Sequence, residues 1–178
     1  MNIPVCDGID LRPLTTADAP ALFAAVDRNR LRLRKWLPWL DSSNSVHDMR
    51  AFLEQQEREN ASRSSLTTGI WVDEEIRGAI SLHRIDARHR SSSVGYWLDA
   101  AVEGRGIMTR ACRALVTEGF QTYGLHRIEI RCALGNHRSC AIAQRLGFVE
   151  EGVLREAEWL YDHWVDLRVF SMLEQDWR

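Results

Sequence analysis

At 178 residues with 45% hydrophobic side chains, the chain is sized for one domain, residues 1–178, that buries roughly 70% of the surface its unfolded form exposes and needs no covalent staple. A formal net charge of −2 argues against non-specific binding of DNA or RNA and leaves only a local basic patch around Arg105 and Arg110. Cys6, Cys112, Cys132 and Cys140 form no CxxC pair and no histidine spacing completes a zinc site, so no metal is expected and the last three read as inert buried thiols.

The opening MNIPVCDGIDLRP has no basic start followed by a long apolar run, and no stretch nears about 18 apolar residues, so a cytoplasmic protein without a membrane partner is expected. Ile9 to Leu14 alternates like an edge strand. Thr15 or Thr16 then caps a helix with Ala21, Leu22, Ala25 and Val26 on one face, ending near Arg30. A shorter helical segment leads into WLPWL, Trp36 to Leu40, where Pro38 interrupts it. Ser45 with Asp48 three residues on is a variant capping box that starts a helix with Met49, Phe52 and Leu53 inward, and Glu57 to Ser65 reads as its exposed end and a loop.

Strand character follows. Thr67 to Val72 and Arg77 to Ile85 flank the polar turn Asp73-Glu74-Glu75 as a hairpin, and Ser92 to Leu98 is a third run. Ile107, Met108, Ala111, Cys112, Leu115, Val116 and Phe120 recur every three to four residues and predict a long amphipathic helix from about Gly106 to Tyr123. Arg127 to Leu134 is a strand, Arg138 to Leu146 a helix closed by Gly147, and the tail supplies two more strands. The order implies an α/β fold with a mixed sheet.

The most informative stretch is Val94 to Thr109, VGYWLDAAVEGRGIMT, in which a strand runs through a glycine-flanked turn into a helix. The first turn of a helix has unpaired N–H donors and the positive end of the helix dipole, and Gly104 and Gly106 remove side chains that would hold an anion away. A Walker loop would need Gly-Lys at the helix start, where Ile107 follows Gly106. A dinucleotide fingerprint would need glycine in place of Thr109 and an acid at a strand end, whereas Glu129 is inside its strand.

The stretch resembles instead the acetyl-CoA loop of the GNAT N-acetyltransferases, Gln/Arg-x-x-Gly-x-Gly/Ala, placed on Glu103, Gly104, Arg105, Gly106, Ile107 and Met108. Glu103 stands where the pattern has Gln or Arg, and Met108 where it has a small residue. Asn136 and Ser139, then Ala143, then Leu146-Gly147-Phe148, resemble the Asn-x-x-Ser helix and Leu-Gly-Phe ending of the same superfamily. With GYWLD, GIMT and WLPWL, the chain is similar to the RimJ/RimL branch, which acetylates protein N-termini. The resemblance implies the GNAT fold, a mixed, mostly antiparallel sheet flanked by helices, and a homodimer.

It also assigns roles. The N–H groups from Glu103 to Thr109 would cradle the pyrophosphate of acetyl-CoA, and the backbone around Leu98, Ala100 and Val102 would pair with its pantetheine arm like an added strand. Asn136 would touch the arm and Ser139 would protonate the leaving thiolate, although both residue types also cap helices. Glu158, between apolar Ala157 and Trp159, would be the general base, its pKa raised by such surroundings, against the plainer reading of a solvated hairpin face with Glu156, Asp162 and Asp166. Trp36 and Trp39 either fill core or border the acceptor mouth; Trp71, Tyr96 and Trp97 read as core, His163 and Asp162 form the turn, and His83, His126 and His137 lack a convincing partner. The expected reaction is acetyl transfer from acetyl-CoA to a protein N-terminal amine, with a small-molecule amine as the competing acceptor and a silent CoA-binding module as the competing class.

Overall fold

A two-residue turn with both residues at positive φ twists in the sense that adjoining strands require. Asp73 and Glu74, at φ 49° and 63°, make such a turn between β3 (Leu66–Val72) and β4 (Glu75–Asp86), so Glu75 belongs to the strand rather than to the turn. At the N-terminus Asp7-Gly8, with Gly8 at φ 72°, joins β1 (Ile3–Cys6) to β2 (Ile9–Pro13). β2 is therefore an interior strand and β1 takes the edge expected for it. Four residues including Pro4 are too few to show a period of two, and the Asp-Gly pair is the signal that marks the hairpin.

The computed structural model describes residues 2–178 and arranges eight strands in the order β1-β2-β3-β4-β5-β6-β8-β7, all neighbours antiparallel except β5 with β6. The remaining strands are β5 (Ser91–Leu98), β6 (Arg127–Ala133), β7 (Val149–Leu160) and β8 (His163–Leu173). One face is covered by α4 (Ile107–Gln121) and α5 (His137–Arg145), whose Ala111, Cys112, Leu115 and Val116 meet Leu11, Ile70, Ile80, Leu82 and Ile128. α1 (Ala19–Asp27) and α3 (Val46–Ala61) cover the other face, packing Leu22, Val26, Met49 and Leu53 with Ile76 and Trp97. After α5 the chain leaves by a left-handed Gly147 (φ 78°), with Phe148 N–H donating to Ala143 O, as the Leu-Gly-Phe ending predicts.

Two helical details differ from the sequence reading. Thr15 and Asp18 do form a capping box, but around a 3₁₀ turn, Thr16–Asp18, so α1 starts later, turns Ala19 inward and Ala21 outward, and ends at Asp27 before a separate α2 (Arg30–Leu33). Phe52 is 44% exposed, because at 100° per residue it lies about 60° around the helix from Met49, while Gln56 falls near the buried line and bonds Thr67. The run from Glu57 is, as expected, the helix's end and a loop, with the helix reaching Ala61, and Asn60 closes it onto β3 by bonding both N–H and C=O of Thr67, at 2.8 and 3.0 Å.

β5 and β6 pair only from Ser91↔Arg127 to Val94↔Ile130. Beyond Val94, β5 stays with β4 as far as Leu98, and β6 stays with β8 as far as Ala133, so the sheet parts between them. Asp99 fixes this end of β5. Its carboxylate is 2% exposed and accepts from Arg28 Nε (2.8 Å), Arg77 Nη1 (3.2 Å), Asn29 Nδ2 (3.0 Å) and the Ala101 N–H (3.1 Å). Burial alone would raise its pKa; the bonds from Asn29, the Ala101 amide, Arg28 and Arg77 outweigh burial and hold it at about 2.

A folded-state pKa below the unfolded value, near 3.9, means stability that is present above about pH 4 and lost as pH falls through 2, worth about 2–3 kcal/mol. Asp99→Asn should lower unfolding free energy by about 3 kcal/mol at neutral pH, since Arg28 and Arg77 lose their anion. Denaturant titrations from pH 7 to 2 should show the deficit shrinking below about pH 4. A deficit that stayed constant to pH 2 would mean that the charge of Asp99 is not what matters.

Candidate active site

After Asp99 the chain forms a 3₁₀ turn over Ala100–Val102, capped by the Asp99 side chain. This corrects the expectation that Ala100 and Val102 continue an open strand edge. Ala100 N–H is taken by Asn29 Oδ1 (3.0 Å), Val102 N–H by Asp99 O (3.1 Å), and the Val102 side chain is buried. Neither amide is free to pair with an added strand. The open edge lies one turn earlier. Asp99 N–H donates to Arg77 O on β4, so by the alternation of a strand the N–H and C=O groups of Tyr96 and Leu98 point the other way, into the parting beside β6.

Gly104 and Gly106, at φ 76° and 70°, then turn the chain into α4. The amides of residues 104–109 make no hydrogen bond to another described residue, and six neighbouring donors at a helix start form an anion-binding concavity. A Cβ on Gly106 would sit 3.2 Å from Arg110 Nη1, whereas Gly104 has open space and is required for its φ. Ile107 and Met108 are 1% and 7% exposed, their side chains in the core, so only their main chain faces outward and the size of Met108 does not narrow the loop. Thr109 Oγ1 accepts from Arg145 Nη1 at 3.0 Å, and the Arg105 carbonyl accepts from Arg110 Nη2 at 3.0 Å. Glu103 is bound on both sides, by Arg32 of α2 and by Arg138 of α5.

Across the parting stands the start of α5. Asn136 is its cap, Oδ1 accepting the Ser139 N–H at 3.2 Å. Ser139 Oγ lies 3.0 Å from Tyr96 Oη, which also donates to Ser139 O at 3.2 Å. Burial pushes the Tyr96 phenol well above its ordinary value, so it stays a neutral partner. Tyr96 is thus more than the core residue its alternation suggests; nothing local in the sequence separates it from Trp97. Cys132, Cys112 and Cys140 surround this hydroxyl pair as buried thiols, and burial pushes Cys132 up to about 12.

Glu158 is half-buried on β7 opposite Val165 of β8, and its carboxylate makes no hydrogen bond to a described residue. Burial raises its pKa with no cation to oppose the shift. By register, β8 separates it from Leu134, whose N–H bonds Asp166 O, so it lies two strand spacings, about 10 Å, from the loop that leads into Asn136. No hydrogen bond links Glu158 to Ser139. Trp36 lies over that same loop, its ring 3.5 Å from where a Gly135 Cβ would stand, while Trp39 packs with the α1–α3 core. Tyr161, at the tip of the β7–β8 hairpin with φ 63°, donates to Leu37 O at 2.5 Å and accepts from Leu40 N–H at 3.2 Å, fastening the Glu158 strand to the Trp36 segment.

Among the described residues no helix is long and apolar enough to cross a membrane. An acetyltransferase (GNAT) domain model matches residues 9–149. The putative ribosomal N-acetyltransferase YdaF of Bacillus subtilis is 34% identical, over 97% of this chain and 95% of its own. The structure of RimL, a ribosomal L7/L12 alpha-N-protein acetyltransferase in complex with coenzyme A, superposes with a TM-score of 0.94 at 27% identity, covering 97% of this chain and 98% of that one. That of the microcin C7 self-immunity acetyltransferase MccE, with acetyl-CoA and AMP, does so with a TM-score of 0.91 at 32% identity, covering 95% and 94%. The free amides after β5, the parted sheet and the Asn136–Ser139 helix start coincide with that match, and the chain belongs to the GNAT family as an acetyl-CoA-dependent N-acetyltransferase.

Proposed function

We propose that the acceptor is the α-amino group of a protein N-terminus, such as that of a ribosomal protein, and that the amine attacks the thioester directly in a cytoplasmic homodimer. The observation that carries the mechanism is the Ser139–Tyr96 hydroxyl pair at the open end of β5 and β6. The acceptor class rests on the likeness to YdaF and RimL. The likeness to MccE favours a second reading, a small-molecule amine, handled by the same chemical groups. Exposed Val153, Leu154, Trp159 and Trp164 on the outer hairpin offer a surface for a homodimer to cover.

Acetyl-CoA, when bound, supplies the activated acetyl group. The amides of residues 104–109 and the positive end of α4 hold its diphosphate, and the Tyr96 and Leu98 main chain takes the place of Ala100 and Val102 along its arm. Asn136 keeps the α5 start in shape and presents its amide to the arm. Ser139 Oγ donates a proton to the departing thiolate while Tyr96 orients it. Glu158, ionised, takes a proton from the acceptor ammonium. Its raised pKa brings basicity closer to neutral pH, and activity falls toward acid as Glu158 protonates, at a pH above the ordinary carboxylate range.

Gly106→Asp places a charge and a Cβ where phosphate approaches, so calorimetry should show coenzyme A binding weakened by roughly a hundredfold in a protein that still folds, about 3 kcal/mol. Unchanged affinity would remove this loop as the diphosphate site. Ser139→Ala should lower kcat by roughly a hundredfold with little change in KM for acetyl-CoA, as loss of an acid used in the transition state requires. A raised KM at constant kcat would instead make the hydroxyl a binding or capping group.

Glu158→Gln should lower kcat/KM on N-terminal peptides at pH 7 by roughly a hundredfold, and the deficit should narrow above about pH 8, where an α-amine with pKa near 8 loses its proton unaided. A peptide whose only amine is a lysine, with pKa near 10.4, should be a poor acceptor throughout. A deficit constant from about pH 6.5 to 9 would make Glu158 a positioning group, and equal reaction of the lysine peptide would end the α-amine reading.

A further inference from the structure

Glu103 is one of the two residues at which the diphosphate loop departs from the family pattern, and its surroundings explain what a carboxylate does there. Arg32, on α2, places Nη1 on Glu103 and Nη2 on the main-chain oxygen of Leu98. Arg138, on α5 and 84% exposed, reaches Glu103 from the opposite side with Nη1 at 2.6 Å. The triad therefore spans the mouth of the parting from α2 to α5 and occupies a carbonyl that points into it. Arg32 Nη2 also donates to Asn29 Oδ1 at 3.2 Å, while Nε is shielded from solvent and has no partner, so the guanidinium is shared among three acceptors with a donor left unused.

We propose that Glu103 is an internal competitor for the cofactor: it holds Arg32 and Arg138 in an ion-paired latch across the cleft, and coenzyme A binds by drawing those arginines onto its phosphates. The inference rests on the reading of residues 104–109 as the diphosphate cradle. A diphosphate seated on those amides adjoins Glu103, and a carboxylate left unpaired beside it would repel it, so the two anions contend for the same cations. Releasing Arg32 also frees Leu98 O for the arm. A Gln or Arg, as the family pattern has, offers no such competing charge.

The test is calorimetric binding of coenzyme A to four proteins: the parent, Glu103→Gln, Arg32→Ala and the double variant, each checked for an unchanged melting profile. Glu103→Gln, close in shape, should bind about fivefold more tightly than the parent, the scale of one partly exposed ion pair. That gain should shrink when Arg32 is alanine in both proteins, because Arg32 carries one side of the competition and Arg138 the other. Equal affinity of the parent and Glu103→Gln would overturn the latch. So would a gain that persists in full without Arg32, since Arg32 would then take no part in the competition. If none of the four binds coenzyme A, the cradle reading falls, and the latch with it.

Discussion

Asp99 organises one end of the sheet because it follows β5, caps the 3₁₀ turn after it and ties both to three residues elsewhere in the chain. A carboxylate this deeply buried must be matched on every lone pair, and its partners come from distant parts of the chain: Arg28 and Asn29 between α1 and α2, Arg77 on β4, and the amide of Ala101. Asn29 extends the network, its Oδ1 taking the Ala100 N–H at 3.0 Å and Arg32 Nη2 at 3.2 Å. The position of Arg32 over Leu98, the tightness of the 3₁₀ turn and the point at which Glu103 emerges all follow from one satisfied charge. An uncharged residue at position 99 would let β5 run on, and the amides of residues 104–109 would leave the sheet in another direction.

The two sides of the parting use opposite electrostatics. On the cofactor side, free amides and arginines create a positive region for a polyanion, tempered by Glu103. On the other side, Glu158 has burial without a counter-charge, unlike a carboxylate fixed in an ion pair. Glu129 and Glu151 show the contrast. Arg127 and Arg131 hold Glu129 below its ordinary value despite burial, and Arg127 with Ser171 holds Glu151 down at about 2, so both are permanent anions. Ser139 and Tyr96 lie between the two regions as neutral hydroxyls.

Elements governed by contacts within one turn were legible in the sequence. α4 shows itself through its three-to-four spacing, the end of α5 through Gly147, and the turn into α4 through Gly104 and Gly106, whose positive φ values favour glycine. Features decided by partners far along the chain were not. Ala100–Val102 reads as a continuing strand because the residue that bends it, Asn29, is 71 positions away. Nothing local singles out Arg32 within RNRLRLR, because its partner Glu103 is likewise 71 positions on. Tyr96 and Trp97 differ only in which face of β5 they take, a matter settled by what α5 brings to one face and α1 to the other.

Tyr161 carries the same long-range dependence to the acceptor side. Its hydroxyl joins the hairpin tip to Leu37 and Leu40, across 124 and 121 residues of chain, and Arg34 lies over its ring at 3.8 Å. Loop closure over such a span grows costlier only slowly with length, but contacts of high sequence separation form late. While the chain is being synthesised, the helices, the cofactor loop and β5 are complete well before the last two strands emerge. The segment around Trp36 must wait, unfastened, for Tyr161. In a nascent chain the free amides of residues 104–109 can thus be in place long before the Trp36 segment is fastened to the last hairpin.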